Sequence, residues 1–377
     1  MSISNSGNVT LTGDAADNEI ELHVGNDDFN TITGLGGTLI ELNGVQAVGH
    51  LIPLEVLSTF AGSFAGLAGN LTINMGAGND VVEITGLSMG PRPFVIDGRL
   101  DVDLGTGADT YNQFVSYVGG RARLRGGSGT GADSFAIEET FLIGNARIDA
   151  GAAGAGLDQI SLDGAFALGS VELRNSGGAS EIVVQDSTLA DTLEIATGGS
   201  DDQIFVSGSA IGRDLRIDTG SASNDPPGDF VRLGDSTVLE DLRINGRQGQ
   251  QTIEFLSFAP GLDFEVVGRT QINTAGGQDV IRIHDDEPIR FHGDFRARTG
   301  GGDDVVDVQG STEFLADVDL GLGGGNDELL FSSLVNITGT GNLNGGGGSQ
   351  DVITSMYQFA NWMSGDPTVN GFELFVF

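Results

Sequence analysis

Cysteine is absent from the chain, and so is lysine. The first absence excludes a disulfide framework and any thiolate metal site. The second means that all 17 basic residues are arginine, set against 53 acidic residues for a formal charge of −36. A surface of that sign repels phosphate backbones and anionic lipid, so no nucleic-acid partner is expected, and cations are the natural company. No basic segment leads into an apolar run in the opening MSISNSGNVTLTG, which does not read as a cleavable signal. Residues 51–69 are the most apolar stretch, yet they contain Pro53, Glu55 and several glycines. They read as buried structure with room for a short helix, and no membrane span is expected. Nowhere does a long uninterrupted 3.6-residue pattern call for packed helices.

What is abundant is glycine, 62 residues in 377, beside plentiful valine, isoleucine, leucine and phenylalanine. That mixture argues against disorder and for a fold of many tight turns. The length admits one domain or two, and a repetitive chain of this size can form a single long body.

The glycines recur with an acidic residue behind them. Aligned on that residue, the chain gives Asp80, Asp109, Asp133, Asp158, Ser180, Asp202, Asp229, Gln251, Asp279, Asp304, Asp327 and Asp351, at intervals of 22 to 29 residues. Two residues later stands an apolar or aromatic side chain every time, from Val82 and Tyr111 to Leu329 and Ile353. Four residues later the side chain is again apolar except at Gln113 and Ser355. A second alternation precedes each glycine turn, as in LDVDLG (100–105) and LRIDTG (215–220), and a shorter third piece completes the unit. Period-two alternation marks half-buried strands.

A unit of about 25 residues with three short strands cannot bury its inner face alone, but stacked units can. The expected fold is therefore all-β: a right-handed parallel β-helix, or β-solenoid, of about 25-residue coils, the hand following from crossover chirality. A β-sandwich is the alternative, though it would not need one turn sequence per coil. Residues 1–70 are expected to form an N-terminal cap with irregular first coils, 71–355 the repetitive solenoid, and 356–377 a C-terminal cap.

Stacking brings the aspartates into a column. Two bare carboxylates ~4.8 Å apart repel by roughly 3.5 kcal/mol at an effective dielectric of about 20. Either the carboxylates cap backbone N–H groups of the turns, or a hard cation lies between them.

The turns MGAGNDVVE (75–83), GGGDDVVDV (300–308) and GGGNDELLF (323–331) resemble RTX repeats, G-G-x-G-x-D-x-U-x, which bind calcium between stacked turns of a parallel β-roll. Looser versions occur at 105–112, 129–137, 154–162 and 276–283. By that resemblance calcium is the expected cofactor. Its ligands would be Asp80, Asp109, Asp133, Asp158, Asp202, Asp229, Asp279, Asp303, Asp304, Asp327 and Asp351, with Gly78, Asn79, Gly302, Gly325 and Asn326 from the turns. Asp202 and Asp229 match less well, and Ser180 and Gln251 should leave gaps. RTX units repeat every nine residues and load both edges of a roll, whereas the longer coil here loads one. The segment ELFVF (373–377) resembles the extreme C-terminus of type I secretion substrates, the route RTX proteins take; a terminal strand would read identically.

Together these imply a secreted calcium-binding solenoid at the cell surface or outside the cell, folded or assembled by calcium, with a structural role. Self-association, or a surface or acidic-polysaccharide partner bridged by calcium, would suit it. A polysaccharide-active lyase or hydrolase is the alternative. For that reading the richest cluster is His284, Asp285, Asp286, Glu287, Arg290, His292 and Asp294. It falls at the bend and third strand, where polar residues face solvent, and no catalytic residue is assigned. Trp362 reads as a core plug or a sugar platform. Arg213, Arg216, Arg232, Arg243 and Arg247 read as solvated ion pairs or a subunit contact.

Overall fold

The computed structural model describes residues 2–3, 8–24, 30–35, 39–42, 45–48, 52–53, 66–67, 69–87, 93–221, 228–257, 263–284, 287–331, 335–355, 361–362 and 367–376. All regular structure among them is strand. The chain is a parallel β-solenoid with turns about 24 residues long, close to the expected period. The backbone divides into two compact units, Met1–Val183 with Ser187–Asp191, and Val184–Asp186 with Thr192–Phe377.

In the first unit three sheets grow side by side as the chain winds. Leu71–Asn74, Leu100–Asp103, Ala122–Arg125 and Ala146–Asp149 pair in parallel in the first sheet. Val81–Thr85, Thr110–Phe114 and Ser134–Glu138 do so in the second. Phe94–Ile96, Ser116–Val118 and Phe141–Leu142 make the third. The expected cap already contains a coil. Val9–Thr12 pairs in parallel with Leu71–Asn74, and Glu19–Val24 with Val81–Thr85. The antiparallel strand Asn30–Leu35 then lies along Glu19–Val24, a device that blunts an open sheet edge. Within 51–69, the described residues are in strands Ile52–Pro53 and Gly66–Leu67 or in the turn at residue 69. The rest of that stretch lies outside the described residues.

The second unit repeats the scheme. One coil runs from Phe264–Val266 through Thr270–Asn273, round the glycine turn, to Val280–Ile283. The next follows as Ile289–Phe291, Phe295–Arg298 and Val305–Val308, each paired in register with its counterpart. Thr368–Asn370 and Leu374–Val376 continue the first and second sheets.

The core follows from the alternation. Val82, Tyr111, Phe135 and Ile160 stand in one register column, as do Ile204, Val231, Ile253, Ile281, Val306, Leu329 and Ile353, and all are buried. In the second unit Phe255, Phe264, Phe291, Phe295 and Phe314 pack together, with Phe291 stacked on Phe314 at 5.3 Å between centroids. Gln113 breaks the apolar pattern and is nevertheless buried. It accepts a hydrogen bond from the Tyr111 hydroxyl at 2.7 Å and donates to Ser116 Oγ at 2.5 Å, so the core satisfies its polar atoms. The side chains of Ser355 and Trp362 lie outside the described residues.

Candidate cation site along the aspartate file

Most coils turn from the first sheet into the second through glycines pressed too close to the neighbouring coil for a Cβ, although Ala275 holds the equivalent place in one coil at a φ of +71°. At Gly105 φ is +101°, and a Cβ would lie 1.7 Å from the Gly76 carbonyl oxygen of the neighbouring coil. The turns are thus pressed flat on one another, and their backbones bond directly. Gly277 donates to the Gly301 carbonyl at 2.8 Å, and Gly302 donates to Gly324 at 2.7 Å.

The aspartate that follows points inward. Asp80, Asp109, Asp133, Asp158, Asp202, Asp229, Asp279, Asp304, Asp327 and Asp351 are all between 0 and 4 % exposed. Apart from Asp202, each accepts at Oδ1 the amide of the residue at the same place in the preceding coil. Asp109 Oδ1 accepts Asp80 N at 2.7 Å, Asp133 accepts Asp109 at 2.9 Å, and Asp158 accepts Asp133 at 2.8 Å. In the second unit Asp229 accepts Asp202 at 3.0 Å, and Asp279, Asp304, Asp327 and Asp351 continue the series from Gln251 at 2.8 to 2.9 Å. The file is therefore a ladder of amide caps, one of the two solutions the sequence left open.

Its membership differs from the sequence alignment in three places. Asn18 opens the file, donating its amide to Asp80 Oδ1 at 2.7 Å. Glu373 extends it, accepting the Asp351 amide at 2.8 Å, so the ELFVF segment supplies a cap and a strand. Gln251 does not leave a gap at the backbone, because its amide still meets Asp279 Oδ1 at 2.9 Å while its own side chain accepts a bond from Thr219 Oγ1 at 3.2 Å.

Asn79, Asp303 and Asn326 belong elsewhere. They are exposed and form an outer file that runs in the opposite sense. Asp303 Oδ1 accepts Asn326 N at 2.7 Å, and Asn79 Oδ1 accepts Ala108 N at 2.9 Å. Neighbouring residues along an extended turn point to opposite sides, so Asp303 faces solvent where Asp304 faces inward, although its charge still acts on Asp304 and Asp327. Gly78, Gly302 and Gly325 carry φ of +121°, +138° and +141°, and they serve the turn's close approach.

Seven of the buried carboxylates use only one oxygen. Oδ2 of Asp80, Asp109, Asp229, Asp279, Asp304, Asp327 and Asp351 is shielded from solvent and accepts no hydrogen bond among the described residues. The Thr274 and Thr299 hydroxyls donate to the carbonyls of Thr299 and Leu322, yet they stand close enough to Asp279 and Asp304 to offset part of the effect of burial there. Burial accordingly pushes Asp109, Asp229 and Asp279 up to about 7 and Asp133 and Asp327 to about 6. Asp80 and Asp304 are also raised by burial, and neighbouring carboxylates of the same file add to the effect at Asp109 and Asp327.

No protein-family model, curated protein or solved structure matches the chain. The chemistry of the file therefore rests on its own geometry. Among the described residues no three acidic or histidine side chains converge on one point. What the file presents instead is a row of single uncommitted oxygens that call for a proton or a cation.

The bend between the second and third sheets carries a hydroxyl version of the same cap, which sequence reading missed. Ser187 Oγ accepts Ala165 N at 3.1 Å in the first unit, and Ser236 Oγ accepts Ser209 N at 3.1 Å in the second. At the third bend Asn70 Oδ1 accepts Arg99 N at 2.8 Å and Asp241 Oδ1 accepts Arg269 N at 3.0 Å. The recurring serines and asparagines were the available signal, hidden because hydroxyls and amides are common in any turn.

The cluster at 284–294 is drawn outward. Arg290 lies between Asp263 and Glu313 of adjacent coils, 3.0 Å from the latter, and these carboxylates raise its affinity for its proton further. His292 Nε2 is 2.5 Å from Glu265 Oε1. Asp285 and Asp286 lie outside the described residues. Arg213, Arg216, Arg232, Arg243 and Arg247 each pair with an acid, Arg232 with Glu254 at 2.8 Å and Arg247 with Asp218 at 3.0 Å among them.

Proposed function

We propose that the chain is an extracellular structural protein, a β-solenoid of surface, matrix or filament, whose buried aspartate file takes calcium as its counter-ion. The observation that carries this reading is the row of shielded Oδ2 atoms without a donor. A buried carboxylate lacking compensation costs several kcal/mol, and either protonation or a cation relieves it. Asp80, Asp109, Asp229, Asp279, Asp304, Asp327 and Asp351 would offer Oδ2 to the ion.

The fit is one-sided. Oδ1 and many turn carbonyls already accept amide hydrogens, so any carbonyl that joined the ion would have to share its second lone pair. Calcium is thus cast as a stabiliser of a stack that the amide caps already hold in register. Outside the cell millimolar calcium suits weak oxygen sites of this kind, and binding that favours the folded state adds directly to its stability. Export by a type I route and calcium-bridged self-association belong to the same proposal.

Thermal unfolding at pH 8, followed by far-UV dichroism in chelator and in millimolar calcium, tests it. Calcium should raise Tm by several degrees and magnesium by less, since magnesium demands stricter octahedral geometry. Identical melting in chelator and calcium would leave protons as the sole counter-charge and end the calcium reading. Sedimentation under the same two conditions reads any assembly.

A further inference from the structure

We infer that the outer face of the first sheet in the first unit holds a binding site for an acidic saccharide, and that Arg123 is its anchor. A cleft of about 320 Å³ lies over strands Ala122–Arg125, Ala146–Asp149 and Val171–Arg174. Arg121, Arg123, Arg147, Asn145, Ser170 and Glu172 line it.

The charges there are unevenly balanced. Arg121 faces Asp101 at 3.4 Å, and Arg147 faces Asp149 at 2.8 Å and Glu172 at 3.6 Å. Glu172 also pairs with Arg174. Arg123 alone of the three has no ion pair or hydrogen bond among the described residues, and its Nε is shielded from water. In a chain with three acids for each base, an arginine left unpaired and half-buried beside two others is a position kept for an incoming anion. A guanidinium keeps its charge at any working pH and grips carboxylate or sulfate through a planar fork.

The remaining lining favours a sugar. Beside the arginines stand Asn145, whose Oδ1 accepts the Ser170 amide at 3.3 Å, and Ser170, whose hydroxyl donates to Asp191 at 3.0 Å, so the Asn145 NH2 and the Ser170 lone pairs are left to meet ring hydroxyls. The volume is at the small end of ligand pockets, the scale of one or two sugar units. A peptide strand could not add here, because Ala122–Arg125 is already paired on both sides. The net negative charge of the protein does not forbid approach, since a Debye length of about 8 Å at physiological salt leaves local charges in control.

The cleft near Asp241, Arg243, Arg269, Asp294 and Arg296 in the second unit is an internal contrast. It is smaller, about 200 Å³, and its arginines face acids: Asp241 lies 3.1 Å from Arg243 and 3.5 Å from Arg269, and Asp319 lies 3.5 Å from Arg296.

Titration calorimetry on the full chain in excess chelator tests the site apart from the calcium proposal, whose failure would leave it untouched. The probes are an oligouronate, a sulfated oligosaccharide, a neutral glucan and oligoglutamate of matched length. The oligouronate or the sulfated probe should bind, and whichever binds names the anionic group. Arg123→Gln should weaken that binding at least tenfold, Arg123→Lys should weaken it less, and Arg269→Gln should leave it unchanged. Arg123→Lys keeps the charge and the stem, so it gives the reading if Arg123→Gln does not fold. Equal binding by neutral glucan or oligoglutamate, no binding by either acidic sugar, or no effect of changing Arg123 would overturn the assignment.

Discussion

Asp109 shows what a single residue does in this fold. Its Oδ1 holds the Asp80 amide at 2.7 Å, while its charge sits in a place that burial makes unfavourable. The two roles separate by substitution. Asp109→Asn keeps an acceptor and removes the charge; Asp109→Ala removes both and orphans a buried N–H. Denaturant unfolding at pH 8 in chelator should find the Ala variant less stable than the Asn variant by roughly 1–3 kcal/mol. Equal stability would mean that the cap contributes nothing. At this scale the sequence was partly readable. The spacing placed Asp80, Asp109, Asp133 and Asp158 in a file in the first unit and the other six aspartates in a file in the second, because a register column is a direct consequence of period. It could not separate Asp303 from Asp304, since two adjacent acids in a glycine run look alike until the backbone assigns one inward and one outward.

At the scale of the element, the strands were legible and the bends were not. Alternation announces a strand, but a left-handed bend can be built from unexpected residues. After the second sheet φ is +46° at Val115, +46° at Glu139 and +60° at Gly164, one position per coil. Only the third is the residue type that prefers this conformation, and the penalty for others is about 1–2 kcal/mol. Glu139 is exposed, so Glu139→Gly loses little packing and should raise stability by about 1 kcal/mol in urea unfolding. In the core of the second unit Phe291 touches rings from four neighbouring strands, and Phe291→Ala should cost about 3–5 kcal/mol by the same measurement. Gln113 illustrates why patterning misreads some core positions: its partners Tyr111 and Ser116 are visible only once the strands on either side of the bend are placed.

For the whole molecule, the buried file sets an unusual response to pH. Asp109, Asp133, Asp229, Asp279 and Asp327 have folded-state pKa values raised by burial to about 6–7 from an ordinary 3.8. Between those values the folded chain holds protons that the unfolded chain has lost, so stability falls as pH rises from about 4 to 7 and levels off above. Asp241 and Asp317 are shifted the other way by bonds to the Arg269 and Thr340 amides, and the stability they add is lost as pH falls below the ordinary carboxylate range. Melting in chelator should therefore be highest near pH 4 and lower at pH 8, with the difference reduced in calcium if the ion replaces the protons. A melting temperature that climbs steadily from pH 5 to pH 8 in chelator would contradict the burial of charge in the file. Fold class and coil length followed from sequence because they depend on a repeat summed over the chain. The counter-charge did not, because the same aspartate spacing serves an amide cap, a proton or an ion.

Because every cap links equivalent positions in neighbouring coils, the chain has a natural copying unit. Excising residues 279–303 would bring the Gln251 amide to Asp304 in place of Asp279, with all three bends still finding like partners. Removing half that length would misalign every later contact. The caps thus tolerate a change of length only in whole windings.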